Sequence, residues 1–213
     1  MVRKPAKPKR QIEPASKPVL KFNTRDHFCV LVDCNEGYPV TFPPALRMRP
    51  KGARRSALVT LGREVLNLGR VEESYGDYTM KGYAYVSGTE RKKSIAEIQF
   101  NLKNGRLDQQ LSALHNLVEY PYLLLDFPLP EMYGTGHNAA YREDDPTPAV
   151  LDIVLEMLND YKVQVLGPYS GNGVYTRRLM GEWMVRRMLS HVYGRKYVTF
   201  RKLRTSRGQR NYG

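Results

Sequence analysis

Gly76-Asp77-Tyr78, then Thr89-Glu90-Arg91-Lys92, then Gly105-Arg106-Leu107 decide how this chain is read. Residues 81–89 are rich in Tyr, Val and Thr, which favours strand, and on a strand positions two apart share a face. Glu90 and Lys92 should therefore point the same way. Asp77 falls at the start of the preceding strand of a hairpin and should reach that face too. Two carboxylates and an ammonium at one sheet edge can hold a divalent cation beside a phosphate, with the lysine placing the attacking water or stabilising charge as it develops. Each residue also has a plainer reading. Gly-Asp is ordinary turn chemistry, and Glu90 with Lys92 could be a cross-strand ion pair.

The charge distribution bears on the partner. The chain has 213 residues, a formal net charge of +13 and a pI near 9.8. Residues 1–21 carry seven Lys or Arg against one Glu, and residues 194–213 carry seven with no acid, so the body between them is formally neutral. Two basic ends on a neutral body favour a polyanion, and nucleic acid above a membrane surface, because neither end has an apolar face. No apolar run follows the first charges and no stretch is long enough to span a bilayer, so an intracellular, non-secreted protein is expected. Cys29 and Cys34 lack metal-ligand spacing and read as free thiols, and the four histidines are scattered, which argues against structural zinc.

Along the chain, residues 1–21 alternate Lys or Arg with Pro and read as a disordered arm. Residues 22–193 read as one domain, and 194–213 as a basic tail. Residues 28–32 read as a buried strand ending at Asp33, and 38–50 as irregular because of four prolines. Arg47, Arg49, Lys51, Arg54 and Arg55 are expected in a loop facing a phosphate backbone. A hairpin is expected over 77–92, and a helix over 94–101 with Ser94 as N-cap and Glu97 completing a capping box. A second helix over 106–118 carries a leucine stripe, followed by a strand over 120–127 and a loop over 128–148. A helix over 150–158, a strand over 163–166 and a long helix over 175–192 complete the order. Strands alternating with helices predict an α/β sandwich around a mixed sheet.

These elements resemble the nuclease domain of the XPF-type structure-specific endonucleases, in the PD-(D/E)XK restriction-endonuclease-like superfamily. Val30-Leu31-Val32-Asp33 with Glu36, Gly76-Asp77-Tyr78, Glu90-Arg91-Lys92, Asn104-Gly105-Arg106-Leu107 with Gln110 and Leu114, and residues 121–126 follow the family's order. The resemblance implies a single domain with a restriction-endonuclease-like mixed central sheet flanked by helices. It implies a DNA endonuclease that uses Mg²⁺ or Mn²⁺ on branched DNA and works as a homodimer or heterodimer. Asp77 and Glu90 would bind the metal, Asp33 would be a further ligand, and Lys92 would orient the attacking water. Glu36, Arg91, Arg106 and Glu97 are accessory candidates, with Arg91 expected on the opposite face in a structural ion pair. Lys196, Arg201, Lys202 and Arg204 join the basic cluster of 47–55 as candidate DNA contacts. Residues 175–192 place Leu179, Trp183, Val185, Met188, Leu189 and Val192 on a broad apolar face, expected to serve self-association.

The chain departs from the family at two places. Asn35 stands where Arg is usual, and Ala96 where an acid is usual, with Lys93 apparently inserted and Glu97 one position on. A rival from another class is a catalytically weak DNA-binding or scaffolding subunit. Retention of both the Gly-Asp and Glu-Arg-Lys elements favours the enzyme. An RNA-binding accessory protein is disfavoured because no RRM or KH pattern is present.

Overall fold

The computed structural model describes residues 27–48, 56–69, 75–128, 147–167 and 173–193. Its strands are β1 His27–Asp33, β2 Ala45–Met48, β3 Ala57–Leu66, β4 Tyr78–Met80, β5 Ser87–Lys92, β6 Tyr120–Leu125 and β7 Gln164–Leu166. The helices are α1 Ile95–Lys103, α2 Arg106–Leu117, α3 Thr147–Asp160 and α4 Val174–Val192. The seven strands form one mixed sheet in the order β2-β3-β1-β4-β5-β6-β7. This is the mixed central sheet flanked by helices that the sequence leads one to expect.

Strand direction sets where the chemistry sits. β1 runs parallel to β3 and antiparallel to β4, β4 is antiparallel to β5, and β5, β6 and β7 are mutually parallel. The C-terminal ends of β1, β5 and β6 therefore share one edge with the start of β4. In open α/β sheets this edge is the usual place for a site, because chain turns there leave a crevice.

Helices cover the two faces unequally. α4 packs Met180, Met184, Val185, Met188, Leu189 and Val192 against inward residues of β1, β2, β3, β4 and β6. A Cβ at Gly181 would stand 2.1 Å from the Thr41 carbonyl oxygen, so the helix approaches that segment as only glycine allows. On the other face, Ile95, Ile98, Leu107, Leu111, Val154 and Leu158 close over Leu123 and Leu125 of β6. That cover stops at β5, and strands β1 and β3 leave Leu58 and His27 exposed beyond it.

Four expectations need correction. The second hairpin strand spans 87–92, not 81–89. Gly82 adopts φ +79° and residues 80–86 fold into turns closed by Tyr83 N–H to Met80 and Val86 N–H to Tyr83, so aromatic content there reflects packing, not strand. Residues 38–50 are not wholly irregular, because 45–48 form the edge strand β2 between prolines. Arg47 thus sits on a strand, not in a loop, and pairs with Leu58. β3 escaped notice because Gly62-Arg63-Glu64 interrupts its apolar alternation; its strand conformation comes from pairing with β1 and β2 on either side. Finally, the apolar face of α4 is mostly core-facing. Val185, Met188, Leu189 and Val192 are buried, and only Leu179 and Trp183 of the six remain substantially exposed.

The helix start at Ser94 behaves as the sequence suggests, with one change. Ser94 Oγ accepts from Glu97 N–H at 3.2 Å, but Glu97 reaches back to Lys93 N–H at 2.9 Å, one residue earlier than a standard capping box. The segments 1–26, 49–55, 70–74, 129–146, 168–172 and 194–213 lie outside the described residues. So the expected arm, tail and 128–148 loop are untouched by the structure apart from the loop's ends. No helix among the described residues is long and apolar enough to cross a membrane.

Candidate active site

Gly76 brings the first acid into place. Its φ is +85°, and a Cβ there would stand 2.6 Å from the Thr89 carbonyl carbon and oxygen. Only glycine lets the chain press against β5 and enter β4 at that angle. Tyr78 pairs with Val32 on β1 and with Thr89 on β5. One step further in this register, Asp77 stands level with Asp33 on one side and Glu90 on the other. Backbone bonds tie the row together, from Asp33 N–H to the Asp77 carbonyl at 2.8 Å and from Arg91 N–H to Asp77 Oδ2 at 2.7 Å. Cross-strand neighbours share a face. The sheet thus gathers three carboxylates on the face that α1 and α2 flank.

β5 then carries three successive charges through the interior, each answered differently. Lys92 is 1% exposed; its Nζ donates to Glu90 Oε1 at 2.8 Å and to Gln110 Oε1 at 2.9 Å, with Glu97 Oε1 at 3.7 Å. Arg91 turns to the opposite face. It binds Asp126 through two nitrogens, the Tyr38 carbonyl at 2.5 Å and Glu36 at 3.1 Å. Lys93 reaches the same Glu36 oxygen at 2.5 Å. That oxygen is ion-paired with both cations without accepting an aligned hydrogen bond from either.

The two central acids carry the imbalance. Burial, then the charge of Glu90, pushes the Asp77 carboxyl well above its ordinary range, against the pull of the Arg91 N–H. Burial likewise raises Glu90, while Lys92 draws it back down. Among the described residues neither Asp77 nor Asp33 has a cationic side chain at ion-pair distance. Asp33 Oδ1 is held instead by Asn35 N–H and Asn35 Nδ2, both at 3.2 Å. A half-buried carboxylate without a counter-cation, next to a buried one, fits a divalent cation with oxygen preference. No three acidic, His or Cys side chains among the described residues gather tightly enough to cage an ion. An open site of this kind leaves coordination positions for water and phosphate.

These groups open into a cavity of about 590 Å³ lined by Asp33, Glu36, Asp77, Glu90, Lys92 and Glu97, with Arg106 and Gln110 from α2. The structure therefore brings together every acidic and accessory candidate. Arg47 is not brought there, since β2 lies three strands from β4, roughly 14 Å across the sheet. Arg49, Lys51, Arg54, Arg55, Lys196, Arg201, Lys202 and Arg204 lie outside the described residues. Asn67, Phe100 and Asn101 also line the cavity and carried no functional signal in the sequence. Gln110 was visible only as part of a helix pattern, its contact with Lys92 being a matter of tertiary packing.

No family model matches the chain, and no curated protein matches it in sequence. Among solved structures it is similar to XPF from Aeropyrum pernix, with 19% identity and a TM-score of 0.49 over 84% of this chain and 69% of that one. It is also similar to XPF from Aeropyrum pernix in a complex with DNA, with 17% identity and a TM-score of 0.46 over 76% of this chain and 65% of that one. Both are likenesses of fold. What the individual residues do rests on the geometry above.

The raised carboxyls carry a stability consequence. An acid whose folded pKa lies above its unfolded value binds its proton more tightly when folded. Its cost is absent below the unfolded value, grows as pH rises to the folded value, and persists above it. Asp77→Asn keeps an acceptor for Arg91 N–H and removes the half-buried charge. At pH 8 in chelator the variant should melt several degrees above the wild type, with the gap closing as pH falls towards 4. A variant that melts lower at pH 8, followed by circular dichroism, contradicts this electrostatic account.

Proposed function

We propose that the chain is a divalent-metal-dependent DNA endonuclease that hydrolyses phosphodiester bonds in branched DNA. The observation that carries this reading is the row Asp33, Asp77 and Glu90 beside a buried, fixed Lys92 at the C-terminal edge of β1 and β5. Mg²⁺ or Mn²⁺ held by Asp77 and Glu90, with Asp33 as a further or water-mediated ligand, would polarise the scissile phosphate and acidify the attacking water.

The chain's own residues supply the rest. Glu90 and Gln110 hold the Lys92 ammonium in one place, so its third N–H is free to be aimed at the water or at the phosphate oxygen. Arg106, at the start of α2, is exposed and lines the cavity, where it can take a non-bridging phosphate oxygen. Hydrolysis in line with these groups would leave a 5′-phosphate. Glu36 and Arg91 are spoken for by each other, Lys93 and Asp126, so they serve as the frame that holds β5 and the 33–38 turn together. The preference for branched substrate comes from the sequence resemblance. The basic ends of the chain supply sequence-independent attraction to the duplex.

Asp77→Asn and Glu90→Gln should each lower Mg²⁺-dependent cleavage by more than roughly 100-fold, beyond what loss of an outer-shell partner costs. The measurement is initial rate on a panel of flapped, forked and junction DNAs, with folding checked in parallel. Full activity in both variants would sink the site, and a folded wild type inert on every substrate would favour the scaffolding reading.

The same resemblance supports a dimer, and the partly exposed Leu179 and Trp183 on α4, near Tyr175, offer it a surface. Light scattering after size exclusion at micromolar concentration should then give twice the 24.5 kDa chain mass, reduced towards one by Trp183→Glu. A monomer active on branched DNA contradicts the pairing.

A further inference from the structure

Phe100 is 66% exposed, yet it forms part of the wall of the cavity that contains Asp77 and Glu90. Single exposed apolar side chains are common on protein surfaces. A phenyl ring beside a cavity otherwise lined by carboxylates, amides and cations is a different matter. Packing does not call for it, because α1 fills the core with Ile95 and Ile98 and Phe100 belongs to neither core cluster. One turn further along the same face of α1 come Lys103 and Asn104, both exposed. Arg106, also exposed, shares the cavity with the ring.

An open π-face flanked by cations, next to a candidate phosphate site, suits a nucleotide whose base has left the stack. The base lies on the ring while Arg106 and Lys103 take the adjoining phosphates. A base inside continuous duplex has both faces covered by its neighbours and cannot use such a ring. We propose that Phe100 is a stacking platform for an unpaired base next to the scissile phosphate. The site would thereby select DNA in which strands part over continuous duplex. This rests on the nuclease reading and goes past it, because it names the residue that senses strand separation.

The test uses the full chain and three DNAs: a duplex with an unpaired arm, the same duplex with abasic sites at the unpaired nucleotides nearest the branch, and a continuous duplex. Binding is measured with Ca²⁺ in place of Mg²⁺, and cleavage separately with Mg²⁺. Phe100→Ala should weaken binding of the armed duplex by roughly 10- to 100-fold, and Phe100→Trp should recover it. The abasic sites should weaken wild-type binding by a similar factor and cost Phe100→Ala almost nothing more, the signature of a coupled pair. The melting temperature and its rise with Mg²⁺ should match the wild type, which separates loss of stacking from loss of fold or metal. Equal binding of the armed duplex by wild type and Phe100→Ala, or penalties that simply add, overturns the platform. A chain that cleaves no DNA yet shows this coupling loses the nuclease reading and keeps the platform. A chain that cleaves and is indifferent to Phe100 loses the platform alone.

Discussion

Burying three consecutive charges in a central strand is the constraint on which the rest of the structure depends. Glu90, Arg91 and Lys92 are all under 5% exposed, and an isolated charge in such a place is prohibitively costly. Strand alternation splits the problem between the two faces of the sheet. Arg91 is neutralised on the α4 side by Asp126 from the end of β6 and Glu36 from the turn after β1, which ties β1, β5 and β6 together at one edge. Removing one partner of such a pair costs about 3–5 kcal/mol, since the survivor stays buried and unpaired. These pairs fix that edge, and the proposed phosphate chemistry would call for such preorganisation.

On the opposite side the balance is left incomplete. Lys92 is matched by Glu90 and fixed by Gln110, but Asp77 stands beside Glu90 and, among the described residues, its carboxylate is held by the Arg91 backbone N–H. Under the proposed function, a cation of small radius and oxygen preference would supply what is missing.

Much of this was legible in the sequence, and what was not has physical reasons. That Asp33, Asp77, Glu90 and Lys92 come to one cavity was legible because strand periodicity and glycine chemistry are local signals, and α1 and α2 because caps and leucine spacing are local too. β3 was hidden because Gly62-Arg63-Glu64 breaks its pattern, and its strand character comes from being sandwiched between β1 and β2. The width of the apolar face on α4 suggested a second partner, but a sheet approached closely through Gly181 already uses most of it. The contact of Gln110 with Lys92 and the place of Phe100 depend on how helices dock on the sheet. No spacing along the chain encodes that.

The most direct measurement is an anomalous diffraction map from a crystal of the chain soaked in Mn²⁺. A peak bridging the Asp77 and Glu90 carboxylates, at about 2.0–2.3 Å from an oxygen of each, and absent in Asp77→Asn, is the result this account predicts. A well-ordered site with Lys92 on Glu90 and no peak between the two acids at millimolar Mn²⁺ would contradict it.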